Sequence, residues 1–235
     1  AAYLAERLGV RLHICHISSA LGIEALLRAQ AAGAQVTGET CPHYLLLTED
    51  VYEGADAPHF SVMPPLRSIP DQKSLWGALQ DGALSCVATD HCPFRRDQKI
   101  LRHSFLELPY GFPGVETLLP LLYSEGVVKN RIELRDLAHL LSGGPAEVFG
   151  ISDAKGSLRV GQDADVVVLD PDAEWSISAD CLHMNTDFSP YEGMRVRGAV
   201  VATVSRGEIV FQDGVVHGRE GRGAFIRSAV PPCRK

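Results

Sequence analysis

Three short stretches decide the fold: Leu12–Ser19, LHICHISS; Val36–Leu45, VTGETCPHYL; and Ser85–Phe94, SCVATDHCPF. Each opens on a run of apolar or β-branched residues that reads as a buried strand. Each then delivers a residue able to ligate a metal or move a proton: His16, His43 and Asp90. In parallel barrels the loops at the C-terminal ends of the strands build the active site, and side chains from separate strands converge there. Two imidazoles and a carboxylate form a ligand set that suits zinc or a similar first-row metal.

Working outward, the first half alternates strand and helix. Strands are expected over Val10–Ile17, Gln35–Thr40, Phe60–Met63 and Leu84–Thr89. The helix over Ala20–Ala32 has Leu21, Ile23, Leu26 and Leu27 at helical spacing and stops at Gly33. Further helices are expected over Asp71–Gln80, Val115–Ser124 and Leu134–Phe149, with Asp71 near a helix start and Gly150 after the last. Alternating strand and helix implies an α/β fold with a parallel sheet and right-handed crossovers. A full (β/α)8 barrel takes roughly 250 residues, so four units read as half of one.

After Gly150 the texture changes. Gly156–Asp170 is turn-rich and runs into the apolar strand DVVVLD; Glu174–Ile177, Val196–Ser205 and Glu208–Val215 add strands, with a tight connection at Arg206–Gly207. The expected division is residues 1–150 for the half barrel and 151–235 for a small β-rich domain and tail.

Composition narrows the function. The chain has 235 residues, 46% hydrophobic and 22% charged, enough for a sizeable core. Its formal net charge is −7 with no long basic run, which argues against nucleic acid or an anionic membrane as partner. No apolar stretch has the length of a membrane span, and the N-terminus lacks the pattern of a signal peptide. The six cysteines, Cys15, Cys41, Cys86, Cys92, Cys181 and Cys233, form no CxxC pair and read as reduced thiols of a cytoplasmic protein. There is no GxSxG, GxGxxG or Walker loop. His13 reads as strand packing, and His91 as a group that orients Asp90 or contacts substrate. A structural zinc site from Cys15, His16, Cys41 and His43 lacks the paired spacing of a finger or ribbon.

At these residues the chain resembles the cyclic amidohydrolases: dihydropyrimidinase, hydantoinase, allantoinase and dihydroorotase. HISSALGIEAL (16–26) is similar to the fifth-strand His motif, and ETCPHYLLLTEDVY (39–52) to the sixth. The stretch from Met63 to Phe94 resembles the seventh strand and the eighth-strand Asp motif. GSLRVGQDADVVVLDPD (156–172) resembles the return into the small β domain. His183–Gly214 and Gly111–Val127 resemble the dihydropyrimidinase and hydantoinase branch most.

The resemblance implies zinc, a two-metal site, and opening of a hydantoin or dihydropyrimidine ring. It implies that His16 and His43 bind one metal, and that Asp90 binds the other and shuttles the proton. It places substrate contacts near Met63 and near Tyr110–Gly111, where Met63 and Tyr110 depart from the family's usual residues, with His91 as a further contact. The family's first-strand histidine pair, fourth-strand Lys and substrate-binding Tyr have no counterpart and would lie upstream of Ala1. The chain is therefore expected to be a C-terminal portion, inactive by itself and prone to self-associate into a homo-oligomer. An allantoinase-type ureide hydrolase and a non-catalytic structural relative stand as alternatives.

Overall fold

The computed structural model describes residues 1–229; Cys233 lies outside them. A short helix α1 (Ala2–Leu8) leads into a parallel sheet of β1 (Leu12–Ile14), β2 (Val36–Thr40) and β3 (Cys86–Val87), in that order. Leu12 pairs with Val36 and Glu39 with Cys86. The crossover α2 (Ala20–Ala31) buries Ile23, Leu26 and Ala29, successive residues of one helical face, and the Ser19 hydroxyl accepts the Gly22 N–H at its start.

After β2, α3 (Pro42–Leu46) starts at once, with Pro42 at its first position. α4 (Ile69–Gln80) opens on a capping box between Ser68 and Asp71. Asp71 also accepts the Ala20 N–H at 2.8 Å, so one carboxylate caps the starts of both α2 and α4. Leu26, Leu45, Leu75 and Leu122 are fully enclosed in the resulting core.

The expected strand over Phe60–Met63 does not form. Phe60 closes a 3₁₀ turn (Ala57–Phe60), and the residues after it join no ladder. Pro64 and Pro65 have no N–H to give to a sheet, and the Met63–Pro64 bond is cis. What remains of the pairing is one bond, from Gly111 N–H to the Ser61 carbonyl at 2.9 Å. The sheet thus holds three strands where four were expected.

The two later helices are interrupted rather than continuous. α5 (Leu118–Leu122) widens into a π-helical segment, Tyr123–Val128. α6 (Leu134–Ala138), a π segment over His139–Gly143 and α7 (Gly144–Val148) fill the expected span 134–149. Pro145 withholds the N–H that would continue an α-helical ladder through this stretch.

Beyond residue 150 the chain forms an antiparallel sheet of β4 (Val166–Ser176), β5 (Arg195–Ser205), β6 (Glu208–Gln212) and β7 (Val215–Val216), paired in sequence order. The strand expected at Glu174–Ile177 is the far end of β4, past an irregularity between Asp170 and Glu174. Arg206 and Gly207, at φ 51° and 79°, make the tight β5–β6 connection. The sheet docks through β5. Gly198 has φ 98°, and a Cβ there would lie 2.4 Å from Tyr123 Cδ1. Leu121, Ile177, Tyr191 and Val196 form a second small core at this junction. Among the described residues, no helix is long and apolar enough to cross a membrane, and Cys15, Cys41, Cys86, Cys92 and Cys181 are free.

Candidate active site

His16 lies two residues after β1 and Asp90 three after β3, and both take a left-handed backbone, φ 57° and 47°. That conformation costs a residue other than glycine about 1–3 kcal/mol and persists where the surroundings hold it for a purpose. It brings His16 Nε2 to 3.5 Å from Asp90 Oδ1. This is long for a hydrogen bond. The two groups thus face each other without a close direct bond.

Glu39, in the middle of the three-stranded sheet, organises the histidines. Its carboxylate accepts a hydrogen bond from His13 Nε2 at 3.1 Å, lies 3.2 Å from His16 Nδ1, and accepts the Cys86 thiol at 3.6 Å. Burial pushes the Glu39 carboxyl up, but the His13 hydrogen bond and the His13 and His16 charges outweigh it and hold it below its ordinary value. A carboxylate oxygen beside Nδ1 repels a lone pair there and favours N–H. His16 thus stands between two carboxylates, Glu39 at Nδ1 and Asp90 at Nε2; a metal bound at Nε2 would leave the remaining ring proton on Nδ1, where Glu39 accepts it. His13 is thus more than strand packing: its other nitrogen pairs with Thr37 Oγ1 at 2.8 Å, which locks the ring that holds Glu39.

His43, in the first turn of α3, is 1% exposed. Its ring is wedged edge-to-face between Tyr44 and Phe112, at centroid distances of 4.1 and 5.1 Å. Burial, aided by the neighbouring His16, lowers its pKa from 6.5 to about 3, so the imidazole is neutral. Its Nε2 is buried with no hydrogen-bond partner. An orphaned buried nitrogen costs about 1–3 kcal/mol, which a bound cation would remove. Burial raises the Asp90 carboxyl above its ordinary value; His16 pulls it back and Glu39 adds to the rise.

These donors fit zinc in chemistry: two imidazoles, one of them buried and neutral, and a carboxylate, with Glu39 behind the His16 ring. They do not close into one tight group. Among the described residues, the group of three or more His, Cys and acidic ligand atoms that all lie within 4.8 Å of one another is His13, Cys15 and Glu39. Cys15, His16, Cys41 and His43, whose spacing already argued against a structural zinc site, are not drawn together as a group of four either, although Cys41 Sγ lies 3.4 Å from His16 Nδ1.

His91 does not orient Asp90. Its Nδ1 accepts the Gly114 and Val115 N–H groups at 3.1 and 3.3 Å, and its backbone bridges to Phe112. The ring shapes the 111–115 loop, and its proton sits on Nε2. Met63 is exposed, beside Pro64, whose carbonyl accepts the Tyr44 hydroxyl at 2.8 Å. Tyr110 is half-buried and precedes Gly111, whose N–H goes to Ser61.

Sequence reasoning missed Glu39 and Lys99. An acid inside a strand expected to be buried had to be paired, and that signal was available for Glu39. Lys99 sits in RRDQK and carried no signal of burial.

Likeness to known proteins extends over most of the chain. Residues 5–210 match the model of the Amidohydrolase family. D-phenylhydantoinase of Escherichia coli O1:K1 is 45% identical over 225 residues, covering 94% of this chain and 49% of that protein. The solved D-hydantoinase from Bacillus sp. AR9 superposes with a TM-score of 0.95 at 39% identity, over 98% of this chain and 51% of the other. Dihydropyrimidinase from Brevibacillus agri gives a TM-score of 0.95 at 36% identity, over 98% and 51%. The chain spans about half the length of the curated relatives it matches.

Proposed function

The chain belongs to the amidohydrolase family, and from that premise we propose that it forms the C-terminal half of a metal-dependent (β/α)8 barrel that hydrolyses the C–N bond of a cyclic amide, a hydantoin or dihydropyrimidine ring. The division at residue 150, a half barrel followed by a small β-rich domain, belongs to this reading. The change from a parallel to an antiparallel sheet supports it.

The observation that carries the chemical part is the state of His43: buried, neutral and unpartnered at Nε2, beside the His16–Asp90 pair. His16, His43 and Asp90 are the residues that would hold zinc. When bound, zinc supplies Lewis-acid polarisation of a carbonyl and hydroxide near neutral pH. Asp90 takes a proton from the attacking water as its oxygen bonds to the ring carbonyl carbon. It returns that proton to the ring nitrogen as the C–N bond breaks, so the nitrogen leaves as a neutral amine or amide. Glu39 keeps the His16 proton on Nδ1. Phe112 and Tyr44 exclude water from His43. Backbone groups at Met63 and Tyr110–Gly111 hold the ring, and the His91 loop shapes the floor beneath it. Cytoplasmic location and self-association belong to the same reading. The exposed Leu158, Val160 and Phe225 side chains give a second copy apolar surface to cover.

The test is ring opening of hydantoin, with zinc supplied, by the complete barrel of which this chain is the proposed C-terminal half; the chain by itself is expected to be inactive. Asp90→Asn is expected to lower the rate by about 10²–10⁴-fold. Equal rates for Asp and Asn would remove the proton-transfer role and the reading with it.

A further inference from the structure

Lys99 has no exposed surface, and among the described residues no carboxylate pairs with it. Its Nζ donates to the Ser61 carbonyl at 3.0 Å and to the Gly111 carbonyl at 2.6 Å. It also lies over the ring faces of Phe112 and Phe188, at 5.2 and 6.0 Å from their centroids. A buried ammonium is expensive unless such groups replace its water. Burial lowers its pKa from 10.5 to about 8, against a small opposing pull from Cys92. A loop needing only packing would be served by an apolar side chain here. What an amine adds is a bond to each of two carbonyls that belong to separate segments.

Those segments are the ones assigned above to the ring. The Gly111 N–H is already given to Ser61 and its carbonyl accepts Lys99, so Gly111 has no donor left for a ligand. Ser61 likewise spends its carbonyl on Gly111 and Lys99. Among the described residues, the backbone N–H and carbonyl groups of Met63 and Tyr110 take no partner. These two residues adjoin the staple, Met63 two residues after Ser61 and Tyr110 one before Gly111, and each leaves one N–H donor and one carbonyl acceptor free.

We propose that Lys99 is a positioning residue: it staples the Ser61 and Gly111 carbonyls so that the free backbone groups of Met63 and Tyr110 stand at a fixed spacing for the N–H and C=O edge of a cyclic amide. This rests on the cyclic-amide reading for the identity of the ligand. It reassigns Gly111 from ligand contact to part of the staple.

The test uses the zinc-loaded complete barrel that contains this chain, and Lys99→Met in it, which keeps the length and the contact with the two rings. Amide hydrogen exchange is read over 58–66 and 108–116, and over 12–19 and 86–91 as the reference, with hydantoin affinity and zinc content measured in parallel. Exchange should rise about tenfold in the first two segments only, and hydantoin Kd should rise about tenfold with zinc content unchanged. Exchange that is unchanged, or that rises evenly over all four segments, overturns the staple. Raised exchange in the two segments with unaltered hydantoin affinity overturns the positioning role. If hydantoin does not bind the unaltered protein, the cyclic-amide reading fails, and the exchange pattern alone decides the staple. Should Lys99→Met not fold, Lys99→Gln keeps a donor and must show the same local pattern in weaker form.

Discussion

Replacing Glu39 by Gln tests the polar centre of the sheet. The residue is 4% exposed, so solvent screens its contacts little. The carboxylate serves His13 Nε2 at 3.1 Å and His16 Nδ1 at 3.2 Å at once, through different oxygens. Gln keeps one oxygen and turns an NH₂ group toward the other histidine, so one charge-assisted contact is lost and one donor meets a donor. A hydrogen bond to a charged group is worth about 1.5–3 kcal/mol, and the expected loss at pH 7 is about 2–3 kcal/mol. Because the folded carboxyl lies below its unfolded value of 4.5, its contribution is complete above that value. It is lost as pH falls through the lower folded value. Urea unfolding followed by Trp76 and Trp175 fluorescence should show the full difference at pH 7 and a shrinking one below pH 4.5. The same change invites His16 to move its proton to Nε2, which should weaken zinc binding by about 10–100-fold. A stability difference independent of pH, together with unaltered zinc affinity, would refute the reasoning.

Two further changes probe how the site is held. Gly198→Ala forces a side chain into φ 98° and against the Tyr123 ring; it should cost about 2–4 kcal/mol and lower the melting temperature by several degrees. Asp71→Ala removes the acceptor shared by Ser68 and Ala20 and should cost about 1–2 kcal/mol at neutral pH. The Ser68 hydroxyl bond holds the Asp71 carboxyl below 3.8, so this difference should fade only as the pH drops through that lower value, as denaturant curves at pH 7 and pH 3 would show.

Much of this was legible from residue types and spacing. Strand-end positions marked His16, His43 and Asp90 as candidates, and the fold sets His16 and Asp90 3.5 Å apart; apolar spacing marked α2 and the antiparallel strands. The left-handed backbone at His16 and Asp90 was not legible, because nothing in either residue type demands it; tertiary packing imposes it. Phe60–Met63 reads as a strand by composition, and the prolines after it decide otherwise. The π segments follow from Gly126, Gly143 and Pro145, but the same residues sit in ordinary helix ends elsewhere. Lys99 shows the sharpest limit. Its neighbours Arg95, Arg96 and Asp97 are exposed, and local pattern gives no reason for one charge of the run to turn inward. Only the fold brings Phe112 and Phe188 to it.

The central claim is that His16, His43 and Asp90 are metal ligands, and zinc titration of the purified chain measures it most directly. The account predicts a saturable zinc site that is lost in His16→Ala and in His43→Ala and retained in His91→Ala, whose ring only shapes the 111–115 loop. Zinc bound equally well by all three variants would contradict it.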